Sequence, residues 1–146
     1  MERDSPAIVS EPRAVVTGSC DPFEETIEAI HAHDKQLAAR LLDGLREIDV
    51  VRVHGPQSTT DRTGVVSVTV EGYTPQELAA VMESAYGIEC RSGLQCAPRM
   101  HDSLGTTAGG GTLRFSPGYA TTTEEIDLVI SAMQEVANVA GTLRVP

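Results

Sequence analysis

Apolar positions divide the chain into helical and extended stretches with little ambiguity. Phe23, Ile27, Ile30, Leu37, Leu41, Leu45 and Ile48 recur at intervals of three, four or seven residues, which places them on one face of a long helix ending near residue 47. Asp21 as cap, Pro22 at the first helical position and Glu24 after it mark the start of that helix. Asp34 interrupts the stripe, and Gly44 weakens the last turn. Val50-Val51-Arg52-Val53-His54, bounded by Gly55-Pro56, predicts a short strand. Gly64 to Val70 predicts a second, whose valines at 65, 66, 68 and 70 make it apolar on nearly both sides, as in the interior of a sheet.

Thr74-Pro75-Gln76-Glu77 then combines a cap, a proline at the first position and a glutamate three residues after the cap. The helix it opens buries Leu78, Val81, Met82 and Ala85, and Gly87 ends it in a left-handed conformation. Ile88 to Arg91 reads as extended, Pro98 to Leu104 as a helical turn, Gly105 to Gly111 as a crossing loop, and Thr112 to Ser116 as a strand. Thr123 caps the last helix, whose stripe is Ile126, Val129, Ile130, Met133, Val136, Ala137 and Ala140, up to Gly141. The order predicts an α+β fold, a small, mostly antiparallel sheet with helices on one face. Residues 1 to 20 show no sustained period and read as an irregular lead-in to a single unit spanning 21 to 146.

Composition narrows the classes of function. At 146 residues with 40% apolar and only 3% aromatic content, the chain has material for one core built from Val, Leu, Ile and Ala. A formal charge of −10 argues against nucleic acid, whose phosphates are bound by clustered Lys and Arg. No apolar run approaches the roughly 20 residues of a membrane span, and Met1-Glu2-Arg3-Asp4 lacks a secretory pattern, so the expected setting is cytoplasmic. Three cysteines, Cys20, Cys90 and Cys96, lack framework spacing and fit free thiols in a reducing compartment.

The richest chemistry lies between Arg91 and His101, with Arg114 downstream. Cys96 is followed by a helix start at Pro98 and flanked by Arg91 and Arg99, surroundings that favour a thiolate; as a small, partly buried residue it would instead carry no chemistry. Arg114, taken by itself, reads as a salt-bridged strand residue. His31 and His33 point to different faces of the helix, and Asp61-Arg62 reads as ordinary surface polarity. Cys90, Cys96 and His101 lack the spacing of a zinc knuckle and an evident fourth ligand, so no metal is expected.

Several separated motifs carry a family resemblance from about Ile27 to the C-terminus. They are Tyr86-Gly87-Ile88, Arg91-Ser92-Gly93, Cys96-Ala97-Pro98, His101, Leu104-Gly105, the run from Gly111 to Tyr119, and Glu124-Glu125-Ile126-Asp127. In this order they resemble the small C-terminal domain of class V aminotransferase-fold enzymes, specifically cysteine desulfurases and selenocysteine lyases. The resemblance implies a pyridoxal-phosphate-dependent transferase in which Cys96 accepts sulfur as a persulfide and Arg114 holds the substrate carboxylate, with Arg91, Gly93 and His101 in support. Position 95 is Gln where the desulfurases commonly have His.

In that family the cofactor is held by a lysine of a larger preceding domain. The one lysine here, Lys35, stands in His33-Asp34-Lys35-Gln36, outside the family's Ser-x-His-Lys context, and reads as a solvated helix residue. Gly109-Gly110-Gly111 does not open onto a helix and is a poor phosphate cradle. The chain is therefore expected to bind no cofactor by itself. It reads as a truncated part of a desulfurase-like enzyme completed by a separate large domain, or as a stand-alone interaction or thiol-carrier module that meets a sulfur donor or acceptor protein. The small domain of these enzymes packs against its large domain, so alone it should expose an apolar face and self-associate, as a dimer.

Overall fold

The computed structural model describes residues 22–142 apart from residue 61, so the lead-in 1 to 20, Cys20, the Asp21 cap and Asp61 lie outside the described residues. The elements are α1 (Pro22–Arg46), β1 (Val51–His54), β2 (Val66–Val70), α2 (Pro75–Tyr86), β3 (Arg91–Gly93), α3 (Pro98–Leu104), β4 (Thr112–Phe115) and α4 (Thr123–Thr142). The strands form one antiparallel sheet of order β1-β2-β4-β3, so the valine-rich β2 is an inner strand. This is the α+β architecture expected from the hydrophobic pattern. None of the helices described is long and apolar enough to cross a membrane.

Alternation along the two inner strands separates two environments. Val66, Val68, Val70, Leu113 and Phe115 point to one face, where they meet Leu37, Leu41, Leu42 and Leu45 of α1, Leu78 and Met82 of α2, and Ile126, Met133 and Val136 of α4. Burying these aliphatic side chains supplies the main stabilisation, each contributing about 1.5–3 kcal/mol relative to exposure. No residue of α3 belongs to this core. Its one buried residue, His101, lies close enough to His54 of the opposite face to be felt electrostatically.

Cap chemistry fixes the helix ends. At α2 the Thr74 backbone N–H donates to Glu77 Oε2 at 2.9 Å while the Glu77 N–H donates to Thr74 Oγ1 at 3.3 Å, the reciprocal box its sequence predicts. Gly87 closes it in the left-handed region at φ 67°. Ile88 N–H then reaches back to Met82 O at 3.0 Å, and β3 starts at Arg91 rather than at Ile88.

Four local expectations are corrected. Thr122, not Thr123, caps α4, because Glu125 lies three residues after it: Thr122 N–H donates to Glu125 Oε2 at 2.8 Å and Glu125 N–H to Thr122 Oγ1 at 3.2 Å. The helix runs through Gly141 to Thr142. Ala85 is exposed, and Tyr86 turns inward instead, its hydroxyl donating to Glu135 of α4 at 2.9 Å. The stripe of α1 is covered only from Leu37 onward, since Phe23 is 70% and Ile27 39% exposed.

Gly44 has a role that periodicity alone does not show. A Cβ there would lie 2.4 to 2.9 Å from three carbons of Ile130, so the glycine lets α1 and α4 cross closely. Above the crossing, Arg40 and Asp127 form a two-pronged exposed ion pair at 2.6 and 2.8 Å, which adds orientation more than stability. Ile130 is β-branched and stiff, so it cannot swing aside easily. Gly44→Val is expected to destabilise the fold by about 1–3 kcal/mol in urea unfolding. In the Gly44→Val/Ile130→Ala double variant the loss should be less than the sum of the single losses; strict additivity would contradict the crossing contact.

Candidate functional site

The thiol-bearing segment is shaped by an unusually close approach of two glycines. Gly111, at φ 99°, passes Gly93 so tightly that a Cβ on it would lie 2.2 Å from the Gly93 carbonyl oxygen. Only glycine fits there, and the contact brings the end of the crossing loop against the exit of β3. The chain then turns at once. Ala97 N–H donates to Leu94 O at 2.9 Å, closing a four-residue turn. Its central residues, Gln95 and Cys96, have φ of 50° and 61°, the left-handed region that residues other than glycine rarely enter. Cys96 stands exposed on this turn. Gln95 folds back, and its side-chain amide donates to Arg91 O and Thr112 O, both at 3.2 Å, bridging β3 and β4.

The sheet face opposite the core carries the charged groups. Register aligns His54 with Ser67, Ser67 with Arg114, and Arg114 with Arg91 in one row across the four strands. Two guanidinium-bearing residues are thus direct cross-strand partners, an arrangement that repels unless an anion joins it. Arg114 Nε is buried with no hydrogen-bond partner. Among the described residues the ion pairs are Arg40–Asp127 and Arg46–Asp43, and neither Arg91 nor Arg114 has a carboxylate partner. The planar fork of an arginine so placed suits a carboxylate.

Two buried histidines, His54 on this face and His101 of α3, lie close enough to interact electrostatically. His101 is 4% exposed; its Nδ1 shares a 2.8 Å hydrogen bond with Thr106 Oγ1, tying α3 to the start of the glycine loop. His54, which the sequence reading did not single out, is 6% exposed, with Nε2 2.9 Å from Thr69 Oγ1. Burial, and then the nearby charges of Arg52 and His101, push its pKa below the ordinary value. Its position one residue beyond Val53, hence on the other face, was the available signal. Cys90 is half-buried, and burial, with Glu83 nearby, pushes its pKa up, so it is a poor nucleophile.

The residues present do not fit pyridoxal phosphate. Lys35 is exposed on α1. In the glycine loop the amides of Gly110 and Gly111 are already spent on Thr107 O and Thr106 O at 3.0 and 2.9 Å, leaving them no donor for a phosphate. Among the described residues no three His, Cys, Asp or Glu side chains converge as metal ligands. A groove of about 420 Å³ between α4 and the end of β4 is lined by Ile88, Phe115, Pro117 and Ile126, and includes neither Cys96 nor Arg114.

The Aminotransferase class-V family model matches residues 23–129, and the chain belongs to that family. It is 33% identical over 113 residues to a Halobacterium salinarum protein named "Probable cysteine desulfurase", a match covering 77% of this chain and 26% of the relative. The solved apo cysteine desulfurase from Thermococcus onnurineus superposes with a TM-score of 0.72 at 30% identity, over 80% of this chain and 28% of that one. The Escherichia coli cysteine desulfurase CsdA, solved with an S-sulfonic acid, shares the fold with a TM-score of 0.64 at 21% identity, over 75% of this chain and 25% of that one. The chain thus spans about a quarter of the length of these relatives.

Two measurements probe the site without any substrate. Iodoacetamide at pH 8 followed by peptide mapping should label exposed Cys96 on the order of tenfold faster than Cys90, whose thiol is half-buried and of raised pKa; equal rates would contradict the geometry. His54 titrates lower in the fold than in the unfolded chain, so the unfolded state binds more protons below its ordinary value of 6.5. Stability is therefore full above that pH and falls as the pH drops through it toward the lowered folded value. Thermal unfolding from pH 7.5 down to 5.5 should show the decline, and His54→Gln should flatten it.

Proposed function

We propose that this chain is the small domain of a cysteine-desulfurase-like enzyme, spanning residues 21 to 146, that works with a large cofactor-binding domain in a cytoplasmic setting. The observation that carries the reading is Arg114, its Nε buried and without a partner, paired with Arg91 on the neighbouring strand and with no carboxylate partner among the described residues. Arg114 holds the substrate carboxylate, Arg91 adds a second positive charge, and Cys96 receives the sulfur. In the net reaction the Cys96 thiol takes sulfur from cysteine: a sulfur–sulfur bond forms, the carbon–sulfur bond breaks, and the substrate carbon gains a proton, giving alanine and a persulfide. Atoms and electrons balance with no outside oxidant. The family relies on pyridoxal phosphate to loosen that carbon–sulfur bond, and no anchor for it is found among the described residues.

Gly93 and His101 act indirectly in this reading. Gly93 accepts the approach of Gly111, and His101 fixes α3 behind the thiol turn through Thr106. Similarity over most of the chain to proteins named cysteine desulfurases supports the substrate class.

The test joins the full chain to the separately expressed cofactor-binding remainder of a related cysteine desulfurase and follows alanine and persulfide formation from L-cysteine. Cys96→Ala should abolish the sulfur adduct on this chain by mass spectrometry. Arg114→Ala should raise KM for cysteine roughly ten- to a hundredfold, the loss of a charged hydrogen-bonded contact, with Arg114→Lys intermediate. An adduct that survives Cys96→Ala, or an Arg114→Ala variant with unchanged KM, overturns the assignment. An adduct acquired only from an intact donor desulfurase would identify the chain as a thiol carrier instead.

A further inference from the structure

Backbone geometry around the thiol is harder to explain than its exposure. Neither Gln95 nor Cys96 is glycine, yet both occupy the left-handed region, at φ 50° and 61°. For side-chain-bearing residues such conformations cost on the order of 1–2 kcal/mol each and persist only where neighbouring contacts enforce them. The turn's own hydrogen bond, Ala97 N–H to Leu94 O, is one such contact. The other comes from the Gln95 side chain. A single amide nitrogen carries two hydrogens, and Gln95 Nε2 places one on Arg91 O and one on Thr112 O, each at 3.2 Å. Those carbonyls belong to the first residue of β3 and the first of β4. The thiol turn is therefore pinned to both strands of the pair that also carries Arg91 and Arg114.

We infer that Gln95 is a positioning residue: its side-chain amide, bridging the Arg91 and Thr112 carbonyls, holds the left-handed turn that aims Cys96 across the Arg114 face. The inference rests on the sulfur-acceptor reading of Cys96. An ionised carboxylate has no hydrogen to give to either carbonyl, so a glutamate at this position cannot substitute. Without the tether the turn relaxes toward ordinary negative φ, and the thiol swings away from the strand pair. Glycine enters the left-handed region without steric cost, so it restores the turn without restoring the tether.

This asymmetry supplies the test. In the full chain, NMR should show for Cys96 the strong intraresidue amide-to-Hα cross-peak of a positive φ. Gln95→Ala should lose that signature and Gln95→Gly should keep it. With the completed enzyme, Gln95→Ala should slow sulfur uptake by Cys96 on the order of tenfold at unchanged KM for cysteine, and Gln95→Gly should recover most of the rate. A Gln95→Ala variant that keeps both signature and rate overturns the inference, as does a glycine variant as impaired as the alanine one. Gln95→Glu should behave like Gln95→Ala. If Cys96→Ala leaves sulfur uptake intact, the functional reading fails. If Cys96→Ala abolishes uptake and Gln95→Ala does not slow it, only the role of Gln95 fails.

Discussion

The register of β4 between its two neighbours is the constraint on which the rest depends. Leu113 and Phe115 pair with Val68 and Val66 on the core face, and Arg114 between them pairs with Ser67 on one side and Arg91 on the other. Because side chains alternate strictly, a slip of one residue would drive a guanidinium into the aliphatic core and turn two large apolar side chains outward. The core therefore enforces the site. Each aliphatic contact that α1, α2 and α4 make with this strand also fixes where Arg114 emerges.

The same strand governs the thiol. Its leading residue, Thr112, is buried, and its carbonyl receives the Gln95 amide, while Gly111 just before it passes against Gly93. A bulkier residue at 111 would push the glycine loop off the β3 exit and take the turn with it. Arg114 and Cys96 come from separate motifs in the sequence, yet both positions are set within four residues of one short strand. His101 is buried close by, its Nδ1 hydrogen-bonded to Thr106 Oγ1 at the start of the glycine loop.

Most of the architecture was legible because its signals are local. The capping box at Thr74 and Glu77, the glycine stop at 87 and the alternating valines of β2 each fix an element by short-range physics. What escaped depends on distant contacts. Gly44 reads as a weak helix residue until Ile130 is seen against it, and His54 reads as the end of a strand until the sheet shows it buried on the polar face. The apolar stripe of α1 announced a helix correctly but could not say that cover begins only at Leu37. Cys96 and Arg114 were singled out by residue type and by resemblance. Their settings, a left-handed turn and an orphaned Nε, are properties of the fold alone.

The two groups sit on supports of different kinds, an inner strand and a hydrogen-bonded turn, and the difference suits the chemistry proposed for them. A carboxylate anchor must not move, because an error of an ångström in substrate placement is carried to the reacting atoms. Arg114 meets that demand from an inner strand paired on both sides. An acceptor thiol has the opposite requirement, since after taking sulfur it must deliver it elsewhere, and a group locked in a strand could not do both. Cys96 is exposed on a turn held by one backbone hydrogen bond and by the two bonds of Gln95.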